Sequence, residues 1–177
     1  MSCPTLEIDS LVIAPQTLLR FTQDYEELLA REFRRTADNS GVLRVTGTAK
    51  VRTVIESLGW IPAGVTSLNL GTTHLMKCAM IRSADSDTAT VTVPAGRRSD
   101  IEPLGFAIVD DLAVSTPITN LADILAGTTD DATLTAVAGA VSYRVHYWPE
   151  ITVVILSNDS DGDEQGRFNW TLEAEEI

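Results

Sequence analysis

The feature that most constrains this chain is a two-residue alternation of apolar and polar side chains, carried by segments rich in Val, Ile, Thr and aromatic residues. In Val141-Ser142-Tyr143-Arg144-Val145-His146-Tyr147 the odd positions are apolar and the even ones polar. That period sends one set of side chains into a core and the other outward, the mark of a half-buried strand. Phe168-Asn169-Trp170-Thr171-Leu172-Glu173-Ala174-Glu175 repeats it, and Thr88-Ala89-Thr90-Val91-Thr92-Val93 does so with threonine outside. Residues branched at Cβ pack well on a pleated surface, which reinforces the assignment. Ile151 to Leu156 is apolar nearly throughout and predicts a strand covered on both faces.

Turn chemistry separates these runs. Asp110-Asp111 stands between Phe106–Val109 and Leu112–Val114 at hairpin spacing. Ala84-Asp85-Ser86-Asp87 and Ala138-Gly139-Ala140 divide other strand-like runs, and Pro94, Pro103, Pro117 and Pro149 fall at run edges, where a missing N–H does least harm. The predicted class is mainly β, an antiparallel sandwich or barrel-like domain with room for one or two short helices.

Three segments carry helical marks. Asp24-Tyr25-Glu26-Glu27 has the form of a capping box, with Arg31, Arg34 and Arg35 late, and stays balanced between helix and strand. Val51, Val54, Ile55 and Leu58 have helical spacing before Gly59, and Ile118–Ala126 predicts a short helix before Gly127. The 177 residues fit one domain, with a mobile N-terminus over residues 1–15 and an acidic loop at 157–166.

A net charge of −12 argues against nucleic acid and against an anionic membrane surface as the partner. No apolar run approaches the roughly 20 residues that span a bilayer. The first five residues lack the features of a signal peptide, which points to a cytoplasm as the place of synthesis and assembly. The charge is uneven. Ser157–Ile177 holds seven acids and one base, whereas bases slightly outnumber acids between Arg20 and Trp60.

Chemistry-bearing patterns fail one by one. The two histidines, His74 and His146, are read as surface or interface residues, and no nucleophile elbow or phosphate-cradling glycine loop occurs. Asp159, Asp161 and Asp163 alternate as in the first part of a calcium loop, but Glu164 stands where that loop needs its glycine and Trp170 where it needs its last ligand. Cys3 and Cys78 are read as free thiols. The expectation is a protein without catalytic, metal or cofactor residues. Tyr143, Tyr147, Phe168 and Trp170 are assigned to a core, and Trp60 and Trp148 to exposed anchors. Arg97-Arg98 reads as a solvated turn, with contact to a partner as the alternative.

Several runs, in order along most of the chain, resemble a family of minor tail or tail-tip virion proteins of bacteriophages with long non-contractile tails. They are Leu19–Glu26, Gly59–Gly64, Arg97–Asp100, Gly105–Val109, Thr133–Val145 and Phe168–Glu176. The resemblance implies a non-enzymatic structural protein of the virion, located in the tail tip or baseplate and assembled in the host cytoplasm. Its implied partners are tube, hub or fibre proteins and further copies of itself. Candidate interface residues are Arg34, Arg35, Trp60, Arg97, Arg98, Trp148, Glu173, Glu175 and Glu176. The Arg-rich first third of one copy is expected to meet the acidic end of a neighbour or of another tail protein. The alternative is a virion-associated module that binds a host-surface glycan or protein.

Overall fold

A computed structural model describes residues 4–13, 20–29, 31–36, 38–45, 48–60, 62–164 and 166–177. Along the chain run β1 (Glu7–Ile8), β2 (Leu11–Val12), β3 (Arg20–Leu28), β4 (Arg31–Arg35), β5 (Gly41–Val45), β6 (Lys50–Gly59), β7 (Thr73–Lys77) and β8 (Arg82–Ser86). After these come β9 (Thr90–Thr92), β10 (Leu104–Val109), β11 (Leu112–Ser115), α1 (Leu121–Ala126), β12 (Asp131–Thr133), β13 (Ser142–Tyr147), β14 (Glu150–Gly162) and β15 (Phe168–Glu176). The protein is mainly β, the ladders between these strands are antiparallel, and α1 is the one α-helix among the described residues. Where the sequence reads as one domain, the chain divides into two compact units, Met1–Val12 with Leu75–Ile151 and Ile13–His74 with Thr152–Ile177.

The first unit is sandwich-like. A four-stranded sheet of order β11-β10-β13-β8 and the two-stranded sheet β12-β9 contribute to one core. Tyr143, Val145 and Tyr147 on β13 and Ala107 on β10 meet Val91, Ala132, Leu134 and Ile124 of α1 there. Alternation along β13 is as the sequence predicts, with Arg144 exposed. Gly105 is required by packing: a Cβ at this site would stand 2.6 Å from the Thr116 carbonyl oxygen. Asp110 (φ 47°) and Asp111 (φ 65°) both lie in the left-handed region and close the β10–β11 hairpin as a two-residue turn. Ser86 belongs to β8, so the turn expected at Ala84–Asp87 lies slightly later. The N-terminal segment is built into this unit. β1 pairs with β2 and β7, Leu6 and Ile8 are fully buried, and Asp9 accepts a hydrogen bond from the Leu75 N–H at 2.8 Å. Mobility therefore does not describe residues 4–13, while residues 1–3 and 14–15 lie outside the described residues.

In the second unit four long strands lie in the order β14-β15-β6-β3. Both doubtful helices fall here and are strands. Residues 24–28 continue β3, residues 31–35 form β4, and Val51–Leu58 lies within β6, flanked by β15 and β3. The inward positions of β6 are Thr53, Ile55, Ser57 and Gly59, so its alternation is invisible in apolar residues. Gln23 on β3 is likewise buried, donating to Thr53 Oγ1 at 3.4 Å, and Thr53 donates to the Asp24 carbonyl at 3.0 Å. Pairing with two neighbours overrides a weak local helical preference.

β14 corrects two expectations. It is covered on one face only, since Thr152 and Leu156 are exposed while Val153 and Ile155 are buried. It also runs on to Gly162, so most of the expected acidic loop is strand, and the described residues between β14 and β15 are Asp163, Glu164, Gly166 and Arg167. A register shift between Ile155 and Ser157 sets Leu156 as an extra residue and inverts which side chains point outward. The turn is held by Asp163, which accepts from the Arg167 backbone N–H and from its Nε, both at 2.8 Å.

Candidate interaction surface

Directly paired residues on neighbouring strands share a face. Four rows therefore cross the outer face of the second-unit sheet: Asp161–Asn169–Leu58–Arg20, Asp159–Thr171–Glu56–Thr22, Ser157–Glu173–Val54–Asp24 and Val154–Glu175–Arg52–Glu26. Seven carboxylates stand in these rows against two guanidiniums, a net charge of −5. The Leu156 bulge places Asp159 and Asp161 here, because after it the odd-numbered residues of β14 face outward. A shallow recess of about 320 Å³ opens on this face, lined by Arg20, Thr22, Glu56, Leu58, Asn169 and Thr171 among others.

The predicted acidic candidates lie on β15 and are partly engaged within their own chain. Glu173 hydrogen-bonds Arg52, which also approaches Glu26 at 3.9 Å. Glu176 accepts from the Val51 N–H at 2.9 Å, and Glu175 sits half-buried in the row with Arg52. Among the described residues the buried Nε of Arg52 has no hydrogen-bond partner.

The hairpin β4–β5 forms its own two-stranded sheet and differs in composition from this face. Phe33 lies opposite Leu43, and Arg34 opposite Val42. Phe33 is 62 % exposed and Leu43 57 %, and Val42 and Val45 are exposed as well. Phe33 lies against Gly41, where a Cβ would come within 2.8 Å of the ring. Aromatic cover of a strand glycine is a recognised stabilising device. Arg34 and Arg35 are exposed on β4, and Arg35 Nη1 donates to Asn39 Oδ1 at 3.0 Å. Thr36 Oγ1 donates to the Asp38 carboxylate, and this bond with that from the Ser40 N–H keeps the acid below its ordinary pKa. The turn is thus tied by its own side chains. Between Arg31 and Val45 stand four arginines and two acids, a charge of +2 that leaves −14 for the rest of the chain.

The other candidates separate. Trp60 is 56 % exposed at the end of β6, whereas Trp148 is half-buried. Arg97 and Arg98 are not solvated: they are 9 % and 4 % exposed and spend their donors on the first unit itself. Arg97 donates from Nη2 to the Ile124 carbonyl at 3.1 Å and to Thr129 at 2.7 Å, and from Nη1 to Asp130 at 2.7 Å. It thereby adds to the Gly127 N–H as a donor to a carbonyl near the end of α1. Arg98 holds Asp100 through two nitrogens at 3.1 and 2.7 Å and donates to the carbonyls of Thr5 at 2.6 Å and Cys78 at 3.2 Å. Asp100 is held below the ordinary carboxylate range by the Arg98 hydrogen bonds.

His74 is buried, not a surface residue, its Nε2 lying 2.9 Å from the Asn69 carbonyl and 3.0 Å from Thr72 Oγ1. His146 is half-buried beside the Phe106 ring, centroids 4.8 Å apart. Desolvation, aided by nearby Arg144 and opposed by Asp85, lowers its pKa. Cys78 is a buried free thiol, while Cys3 lies outside the described residues. Tyr143, Tyr147 and Trp170 are core residues and Phe168 is half-buried.

Among the described residues no group of three His, Cys, Asp or Glu side chains is placed to hold a metal ion, and no helix is long and apolar enough to cross a membrane. Phe33, Val42, Leu43 and Val45 were not singled out in the sequence, because exposure of an apolar residue is invisible to composition. Comparison with family models, with curated proteins and with solved structures finds no match to this chain.

Proposed function

We propose that this chain is a non-enzymatic structural protein that acts by protein–protein assembly. The observation that carries this reading is the β4–β5 arm, which presents Phe33, Leu43 and Val45 to solvent on one face and Val42 beside Arg34 on the other. Contiguous exposed apolar area marks an interaction site, and aromatic residues with arginine are the usual anchors of such contacts. The narrower proposal is a tail component of a bacteriophage virion, at the tail tip, baseplate or as a minor tail protein. It rests on the sequence resemblance and names tube, hub or fibre proteins and further copies as partners, with assembly in the host cytoplasm.

Light scattering over a range of protein concentration tests the general reading. Discrete oligomers that loosen with added salt are expected; a monomer at every concentration removes self-assembly from the proposal. Peptide quantification in purified particles tests the narrower reading, which predicts a fixed copy number and fails if the protein is absent. Exposed Trp60 favours the host-binding module as a second reading. Binding of purified protein to host cells, abolished in Trp60→Ala, would replace the assembly reading with it.

A further inference from the structure

We infer that the β4–β5 arm of one copy docks on the outer face of the β14-β15-β6-β3 sheet of another copy. This deepens the assembly reading and rests on it, by naming both halves of the contact. The two surfaces are opposite in charge: the arm carries +2 over residues 31–45, and the receiving face carries −5 over four rows. Such complementarity steers encounter and fixes orientation, while desolvated apolar anchors supply most of the affinity.

The recess on this face is mostly polar, with Arg20 in its lining, and offers the arm one aliphatic side chain. Leu58 lines the recess, with Thr22 and Thr171 beside it and Glu56 in the adjacent row. Phe33 seats in this recess, and the arginines of the arm reach the carboxylates of Glu56, Asp159 and Asp161 around it. These three acids are exposed in the free chain. The arm arrives ordered, since its ring lies on Gly41 and its turn is tied by Thr36 and Asp38, which reduces the entropy lost on docking.

Donor and receiver are different patches of one chain, so the contact is heterologous. Repetition closes a ring or extends a filament according to the rotation per step. An open assembly keeps an unoccupied face at one end and an unused arm at the other.

The test uses two variants of the full chain. Phe33→Ser with Leu43→Ser disables the arm, and Asp159→Lys with Asp161→Lys disables the face. All four positions are exposed, and an unchanged far-ultraviolet circular dichroism spectrum verifies the fold. Should the double arm variant misfold, Phe33→Ser alone replaces it. Each variant alone is expected to be monomeric, its self-association weakened at least about tenfold. An equimolar mixture is expected to form a dimer and nothing larger, because one intact arm meets one intact face. A mixture that stays monomeric overturns the inference. Oligomers that persist in either variant alone also overturn it, yet leave assembly through another surface standing. Wild-type protein that is monomeric throughout overturns the inference and removes self-assembly from the proposed function, leaving assembly with other proteins standing.

Discussion

At the scale of single residues the most consequential side chains are two arginines whose neighbours give no hint of burial. Arg98 satisfies the carbonyls of Thr5 and Cys78 and pairs with Asp100. Arg98→Leu leaves the two carbonyls without their donor and should cost about 3 kcal/mol of unfolding free energy, read as a shifted denaturant midpoint at unchanged slope. Asp100→Asn should cost less, because its own side chain remains 43 % exposed. His146 gives a prediction in pH. Its pKa in the folded chain lies below the ordinary imidazole value, so folding disfavours its protonated form. Its neutral state is compatible with full stability above the unfolded pKa. As pH falls below the unfolded value, the unfolded chain takes up the proton first and stability declines, levelling off once pH is below the folded value. Melting temperature should therefore drop as pH falls below about 6.5, and the drop should shrink in His146→Gln. An identical profile in that variant would assign the effect to carboxylates.

At the scale of elements, the Asp110-Asp111 hairpin shows where local chemistry suffices. Both residues adopt positive φ, and the two-residue turn matches the twist of β10 and β11. Asp111→Val forces a β-branched side chain into that region and should destabilise the protein by about 1–2 kcal/mol. Asp111→Gly should stabilise it slightly. Chemical denaturation of both variants distinguishes a turn effect, with opposite signs, from a general loss of charge, which gives the same sign. The same legibility holds for β13 and β15, where apolar residues occupy nearly every inward position. It fails for β3 and β6, where Gln23, Thr53 and Ser57 point inward and Gln23 and Thr53 satisfy each other and the backbone. Polar residues inside and Val54 and Leu58 outside mimic a helical stripe. The short helix before Gly127 was legible because Gly127 takes the left-handed conformation at its end.

At the scale of the whole molecule, composition exposed the charge asymmetry but could not distribute it in space. The acids near the end of the sequence join Asp24, Glu26 and Glu56 from its first third on one face. The division into two units was equally hidden. The chain passes between them after Val12, His74 and Ile151, so each unit is discontinuous and no linker marks a boundary. Arg34, Arg35 and Trp60, named from the sequence as interface candidates, are exposed. Arg97 and Arg98 were misplaced, since two adjacent arginines after Pro-Ala-Gly have the look of a solvated loop.

The extra residue in β14 has a consequence for how this sequence can vary over time. Loss of Leu156 shortens the chain by one residue and changes its composition little. Ile155 and Ser157 already face consecutive residues of β15, so this loss removes the bulge and leaves Asp159 and Asp161 outward. One residue inserted after Ser157 would instead turn Asp159 and Asp161 toward the interior, and turn out Asn158, which now holds the carbonyls of Val65 and Leu68. The same insertion in the turn between Asp163 and Arg167 only alters a bend. Insertions are thus filtered by parity along this strand, tolerated at its tip and purged a few residues earlier, while a deletion at the bulge is absorbed.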